Sequence, residues 1–120
     1  MEKNCVFCKI AKGEIPCEKV YENDNFLAIM DANPAIDGHS LVISKKHFGT
    51  ILDMPNSLGP ELLDCIKKTA LKLINEEKAE GFNVVNNSFE CAGQIVNHVH
   101  FHIFPRRKDD NSVLSLRKKE

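Results

Sequence analysis

Apolar and polar positions run in short blocks along the first third of the chain and settle further on into one long helical stripe. Lys19–Glu22 and Phe26–Met30 read as two short strands, and Asn23, Asp24 and Asn25 supply the turn chemistry of a hairpin between them. Ser40–Ser44, with the sequence SLVIS, reads as a third strand. The stretch 31–38 before it is a loop by its Pro, Asn and Gly content. Over residues 60–80, Leu62, Leu63, Ile66, Ala70, Leu73 and Ile74 recur at helical spacing, with Pro60 in the first turn and Gly81 at the end. Residues 83–87 and 97–104 read as two more strands, separated by a polar loop that contains Cys91 to Gln94. Near the N-terminus, Asn4 can cap a short helix through Lys12, and Gly13 can end it. Five strands, mostly consecutive, around one long and one or two short helices predict an α+β fold with an antiparallel sheet. Residues 1–107 are expected to form a single domain. Residues 108–120 carry too few apolar side chains to promise order.

Composition narrows the setting. A chain of 120 residues suits one domain with a sizeable core, and 42% hydrophobic and 28% charged residues are those of a globular protein. The net charge of -1 gives no global attraction to nucleic acid or to an anionic membrane, so neither is expected as a partner. No window offers the roughly 18 apolar residues of a membrane span, and MEKNCVFCKIAKG has no apolar signal region. The expected location is cytoplasmic. The basic residues Arg106, Arg107 and Lys108 are followed by Asp109 and Asp110 and read as a solvated tail. The cysteine count of five is odd and argues against a disulfide framework, leaving metal binding or burial. Cys17, Cys65 and Cys91 have no partner at ligand spacing and read as small buried or half-buried apolar residues.

The densest chemistry lies in His98-Val-His-Phe-His-Ile-Phe104. On a strand, alternate side chains share a face, so His98, His100 and His102 are expected side by side at about 6.5–7 Å intervals. Val99, Phe101 and Ile103 then feed the core from the other face. Neutral imidazole is available near pH 7, and two chemistries want such an array. One is metal binding; the other is nucleophilic catalysis by a central imidazole whose neighbours orient charge and protons. A second motif, Cys5-Val-Phe-Cys8, supplies half of a tetrahedral zinc site.

The HxHxHxx pattern with apolar intervening residues resembles the signature of the histidine-triad (HIT) family. The likeness extends further. Gly38-His-Ser-Leu-Val-Ile-Ser-Lys-Lys-His47 resembles that family's GHxLVIPKxH segment, Val84-Val-Asn86 its strand ending in a phosphate-binding asparagine, and Ala92-Gly-Gln-Ile-Val96 its lead-in to the triad. These pieces span residues 5–107 in the family's order. The resemblance implies the HIT fold, a homodimer, and hydrolysis at the α-phosphate of nucleoside monophosphate conjugates such as phosphoramidates or dinucleoside polyphosphates. It implies His100 as the nucleophile that carries the nucleotide. His39 and His102 would flank the phosphate, and Gln94 would meet the scissile bridge or leaving group. Asn86 and Gly93 would help to bind the phosphate, Asp31 would accept from the ribose hydroxyls, and Phe7 and Ile29 would line a slot for a purine base. It also implies that His47 and His98 complete a structural zinc site with Cys5 and Cys8, and no organic cofactor is expected. Ile95 stands where phosphoramidase-type members carry serine, which removes a hydroxyl that could assist an amine leaving group. Two other readings remain: a metallohydrolase with catalytic zinc on His98, His100 and His102, and a non-catalytic nucleotide-binding protein.

Overall fold

The computed structural model describes residues 4–110. The expected tail lies largely at 111–120, outside the described residues. The chain runs α1 (Val6–Ala11), β1 (Lys19–Glu22), β2 (Phe26–Met30), β3 (Ser40–Ser44), α2 (Gly59–Glu76), β4 (Gly81–Asn86) and β5 (His100–Arg106), with 3-10 turns at Ile51–Asp53, Asn56–Leu58 and Glu90–Ala92. The five strands form one antiparallel sheet in the order β1-β2-β3-β5-β4. The α+β architecture and the first three strands match the expectation from hydrophobic pattern.

The sheet is apolar on both faces, and each face has its own cover. Phe26, Ala28, Val42, Phe101 and Ile103 point to one side, where Cys65, Ala70 and Leu73 of α2 bury them. Leu27, Ile29, Leu41 and Ile43 point to the other, where Phe7 and Cys8 of α1 cover part of the face. The register pairs Leu41 with His102 and Ile43 with His100, so both histidines share the α1 side. This double burial is why β2 and β3 read as continuous apolar runs rather than as alternating strands.

Several boundaries differ from the sequence reading, and four of them have a clear local reason. Cys5 rather than Asn4 caps α1, because its sulfur accepts the Cys8 N–H at 3.4 Å. Helix α2 stops at Glu76, not at residue 80. The N–H groups of Glu77 and Ala79 both reach the Leu73 carbonyl, and Lys78 takes the left-handed conformation at φ 57°. That turn frees Gly81 to open β4 instead of closing the helix. Strand β5 begins at His100 rather than at 97, because Val99 donates its N–H to the Phe48 carbonyl of a neighbouring loop at 2.7 Å. His98 therefore precedes the strand. The corner after β5 is also tied down: Arg106 grips Asp110 through Nε and Nη2 at 2.9 and 3.0 Å and is no solvated tail residue.

Gly38, with φ +88°, sits where a Cβ would come within 3.0 Å of Pro105 and 3.2 Å of Glu77. Only glycine adopts that backbone and tolerates that approach without strain, which places His39 at the head of β3.

Candidate active site

A cavity of about 720 Å³ opens beside β3 and β5 on the α1 side of the sheet. His100 and His102 form part of its wall with His39, and Phe7, Ile10, Ile29 and Leu41 line an apolar recess. Asp31 and Asn33 stand at the rim, and Gly93 and Ile95 approach from the loop before β5. Seven expected site residues thus meet at one cavity: Phe7, Ile29, Asp31, His39, Gly93, His100 and His102.

Fixed backbone groups decide which nitrogen of each histidine carries its proton. His100 Nδ1 lies 2.7 Å from the His98 carbonyl, which can only accept. Nδ1 therefore bears the hydrogen, and Nε2 keeps a free lone pair. The Ala35 N–H donates to His39 Nδ1 at 3.1 Å, so the neutral His39 ring carries its hydrogen on Nε2. That hydrogen is donated to His102 Nδ1 at 3.0 Å, with Asp31 Oδ2 at 3.4 Å as a second acceptor. His102 is then left with its hydrogen on Nε2. Both nitrogens of His39 are engaged within the protein, one by the Ala35 N–H and the other by His102 and Asp31. Asp31, His39 and His102 lie close enough to hold an ion. The Ala35 N–H nevertheless keeps a hydrogen on the His39 nitrogen that would have to ligate, which favours the relay over a metal.

Burial holds this chain of rings neutral. His102 is pushed down to about 4, first by desolvation and then by His100 and His39, with Asp31 opposing. Burial lowers His39 as well, again against Asp31. The folded His102 thus binds fewer protons than the unfolded chain between about 4 and the ordinary 6.5. Stability rises with pH across that window, is complete above it, and is lost as pH falls through it. We expect the urea midpoint to hold from about pH 7.5 to 6.5 and then to drop towards pH 4.5, with the His102 imidazole proton resonance titrating at the bottom of the window. A His102 resonance that titrates near 6.5 would contradict this burial argument.

Three residues expected at the phosphate or leaving group have their polar groups engaged within the protein itself. The Asn86 amide donates to the His100 carbonyl at 3.0 Å and its oxygen accepts from Ser88, so it braces β5 at His100. Gln94 spends its NH2 on the carbonyls of Gly49 and Val96, at 2.7 and 3.0 Å, and its oxygen on the Phe89 N–H. It folds the loop that carries Ile95. Gly93 adopts φ +99°, a conformation suited to glycine, but its N–H bonds the Glu90 carbonyl. Sequence reasoning missed Ala35, which acts through its backbone N–H and leaves no side-chain signal, and Ser44, whose carbonyl and hydroxyl both lie against His98 Nε2, at 2.7 and 3.2 Å. It missed Asn33 too, whose N–H closes an Asx turn on Asp31 Oδ1 at 2.8 Å; the Asp-x-Asn spacing could have revealed it.

Cys5, Cys8, His47 and His98 form a second cluster whose ligand atoms lie within 4.8 Å of one another. His98 Nε2 donates to the Ser44 carbonyl at 2.7 Å, which turns its Nδ1 lone pair on the sulfurs of Cys5 (3.2 Å) and Cys8 (3.5 Å). Cys8 Sγ lies 3.3 Å from His47 Nδ1. Tetrahedral zinc with two sulfur and two nitrogen ligands requires S···N edges of about 3.5 Å. The donor set and spacing therefore fit such an ion, and burial lowers His98 to about 4, keeping it in the neutral form a metal needs. Among the described residues His98, His100 and His102 form no such group. The three histidines are divided between the thiol cluster and the cavity, which does not favour one zinc held by all three. Of the other cysteines, Cys65 is buried, which pushes its thiol up to about 12, and Cys17 is half-buried. Cys91 is exposed, unlike the expectation.

The HIT domain family model matches residues 12–109. A HIT-like protein of Methanocaldococcus jannaschii is 44% identical over 112 residues, covering 93% of this chain and 86% of its own. An adenylylsulfatase of Arabidopsis thaliana is 38% identical over 92% of this chain, which spans 56% of that enzyme. The adenosine 5'-monophosphoramidase of Candida albicans is 38% identical over 94% of this chain and 76% of its own. A solved structure from Streptococcus mutans matches at a TM-score of 0.90 and 40% identity, over 100% of this chain and 76% of the other. A zinc-bound histidine triad family protein from Mycobacterium smegmatis matches at 0.85 and 36% identity, over 97% and 83%.

Proposed function

The chain belongs to the HIT family, and from that premise we propose that it is a nucleotide hydrolase acting at the α-phosphate of nucleoside monophosphate conjugates. The observation that carries this reading is the fixed tautomer of His100, whose Nδ1–H is pinned to the His98 carbonyl. Its Nε2 lone pair attacks the α-phosphorus, the bond to the leaving group breaks, and a nucleotidyl-imidazole forms. Water then attacks the same phosphorus, releases the monophosphate and restores the imidazole. The Nε2–H of His102 donates to the phosphoryl oxygen or the departing atom where charge develops. The apolar recess of Phe7 and Ile29 suits a purine, with Asp31 at the rim to accept from ribose hydroxyls. The test is a panel of adenylyl phosphoramidate, sulfate, acyl and dinucleoside polyphosphate substrates, quenched during turnover and analysed by mass spectrometry. The expected result is a nucleotidyl adduct on His100; steady turnover with no adduct at any quench time sinks the covalent step.

Ile95 governs the leaving group in this reading. Its side chain is 94% exposed at the cavity mouth, so serine there leaves no void and costs little stability. A hydroxyl at this place could donate to a poor amine leaving group in the transition state. We expect Ile95→Ser to raise kcat/KM about tenfold for a nucleoside phosphoramidate and little for a dinucleoside polyphosphate. An equal change for both substrates would remove position 95 from that role.

A homodimer is part of the same proposal. Strand β4 is a sheet edge, and register places Phe82 and Val84 on the face shared with Pro105 and Ile103. Both are exposed at 42%. An unpaired edge beside exposed apolar side chains invites a second copy. We expect a dimer by sedimentation at micromolar concentration and a monomer for Val84→Asp; a wild-type monomer across that range would contradict the pairing. No helix among the described residues is long and apolar enough to cross a membrane. The proposed location is the cytoplasm, where thiol ligands such as Cys5 and Cys8 stay reduced. Zinc at the Cys5, Cys8, His47 and His98 cluster is proposed as structural, because four protein donors leave no open position for substrate or water.

A further inference from the structure

The thiol–imidazole cluster and the cavity are built on the same short helix. Cys5 caps α1 and Cys8 lies in it, and their sulfurs face His98 and His47. The residues between and beside them, Val6, Phe7 and Ile10, form one wall of the cavity. Phe7 touches both centres: its ring meets His98 edge-on at 5.7 Å and His100 at 5.0 Å. Helix α1 has only six residues, too few to persist without tertiary support. Its apolar contacts are with the sheet side chains Leu27, Ile29, Leu41 and Ile43, on the same face that borders the cavity.

We propose that the cluster and the cavity are thermodynamically linked, so that a thiophilic divalent cation on Cys5, Cys8, His47 and His98 sets nucleotide affinity by holding α1 as the cavity wall, with Phe7 as the residue that transmits the coupling. When bound, the ion supplies the bonds that tie α1 to the loop before β5. Without it, α1 exchanges between docked and undocked positions, and a nucleotide must select the docked one. Linkage is reciprocal, so a nucleotide in the cavity slows loss of the ion by keeping α1 docked. The effect falls on binding rather than on chemistry. The His98 carbonyl that orients His100 is held in place by the bonds of the His98 N–H to Val96 and of the Val99 N–H to Phe48.

This inference rests on the reading of the cavity as a nucleotide site, and its test separates the two. Zinc-loaded full-length protein is titrated with adenosine 5'-monophosphate in a calorimeter. Zinc release to a chromogenic chelator is then timed with and without saturating monophosphate. The expected results are measurable binding and about tenfold slower release with nucleotide present. Phe7→Ala should keep a full equivalent of zinc and still bind nucleotide, more weakly, while release no longer responds to it. That variant excludes simple stabilisation of the whole fold, which would slow release in both proteins. Where the stripped protein stays folded by circular dichroism, its affinity for the monophosphate should be about tenfold weaker than that of the loaded form and recover on adding zinc alone. Release that ignores bound nucleotide in the wild type, or that slows equally in Phe7→Ala, overturns the linkage and leaves the nucleotide reading intact. Absence of any binding by the loaded protein overturns the nucleotide reading and the linkage with it.

Discussion

His100→Ala and His100→Asn should each lower kcat by about 10³-fold or more while nucleoside monophosphate still binds within a few-fold of wild type. Both variants lack the attacking Nε2. The other proposed contacts to a nucleotide, from the Phe7 and Ile29 recess, Asp31 and His102, are unchanged in each. The two variants control for each other. Alanine removes a buried ring that packs on Phe7 and His102, at centroid distances of 5.0 and 5.1 Å, and loosens the wall. Asparagine keeps a donor that can reach the His98 carbonyl in place of Nδ1. If loss of activity were only loss of packing, asparagine would restore much of it. Retention of more than a few per cent of kcat in either variant rules out His100 as the nucleophile. Loss of nucleotide binding together with kcat would mean that the ring holds substrate rather than attacks it.

Cys8→Ser is expected to abolish stoichiometric zinc and to lower Tm by about 10 °C or more. The Cys8 side chain is 1% exposed and faces both imidazoles, so serine puts a hard, shorter donor where the cluster needs a thiolate. The free energy of binding a structural ion is folding free energy, which makes the loss large for one atom exchanged. A chelator should lower the Tm of the wild type to a similar value and leave that of Cys8→Ser unchanged. With saturating substrate, kcat of folded metal-free protein should stay within a few-fold of the loaded form, because the ion touches no reacting atom. Full zinc retention by Cys8→Ser would displace Cys8 from the ligand set. Complete, immediately reversible loss of kcat in folded, metal-free protein would make the ion catalytic instead.

The legible parts of this chain are those in which a local run, turn or period of side chains decides the structure. The SLVIS run, the hairpin at Asn23 to Asn25, and the stripe Leu62, Ile66, Leu73 each state their element without reference to the rest of the fold. The helix end was misread because Gly81 is a good stop signal, yet a turn through Lys78 closes the helix earlier. Propensity favours glycine there, but the competing hydrogen bonds to the Leu73 carbonyl win. The start of β5 was misread for a similar reason. The alternation of His98 to Ile103 includes His98 and Val99, while pairing there is decided by the loop at Phe48, distant in sequence.

The sequence by itself determined the fold class, the gathering of His100 and His102 on one strand face, and the CxxC that pairs with His47 and His98 through a family likeness. Period-2 alternation and short motifs suffice for those, since they are local properties of the chain. Only the tertiary structure decided what each group does. It set the tautomers of His39, His98 and His100 through the Ala35 N–H and the Ser44 and His98 carbonyls. It spent the amides of Asn86 and Gln94 on backbone groups rather than on the cavity. It also split the three histidines between a thiol cluster and a cavity. The physical reason is common to all of these. A hydrogen bond is decided by which donor and acceptor arrive within about 3 Å, and backbone groups, which every residue carries alike, leave no trace in the identity of the side chains they orient.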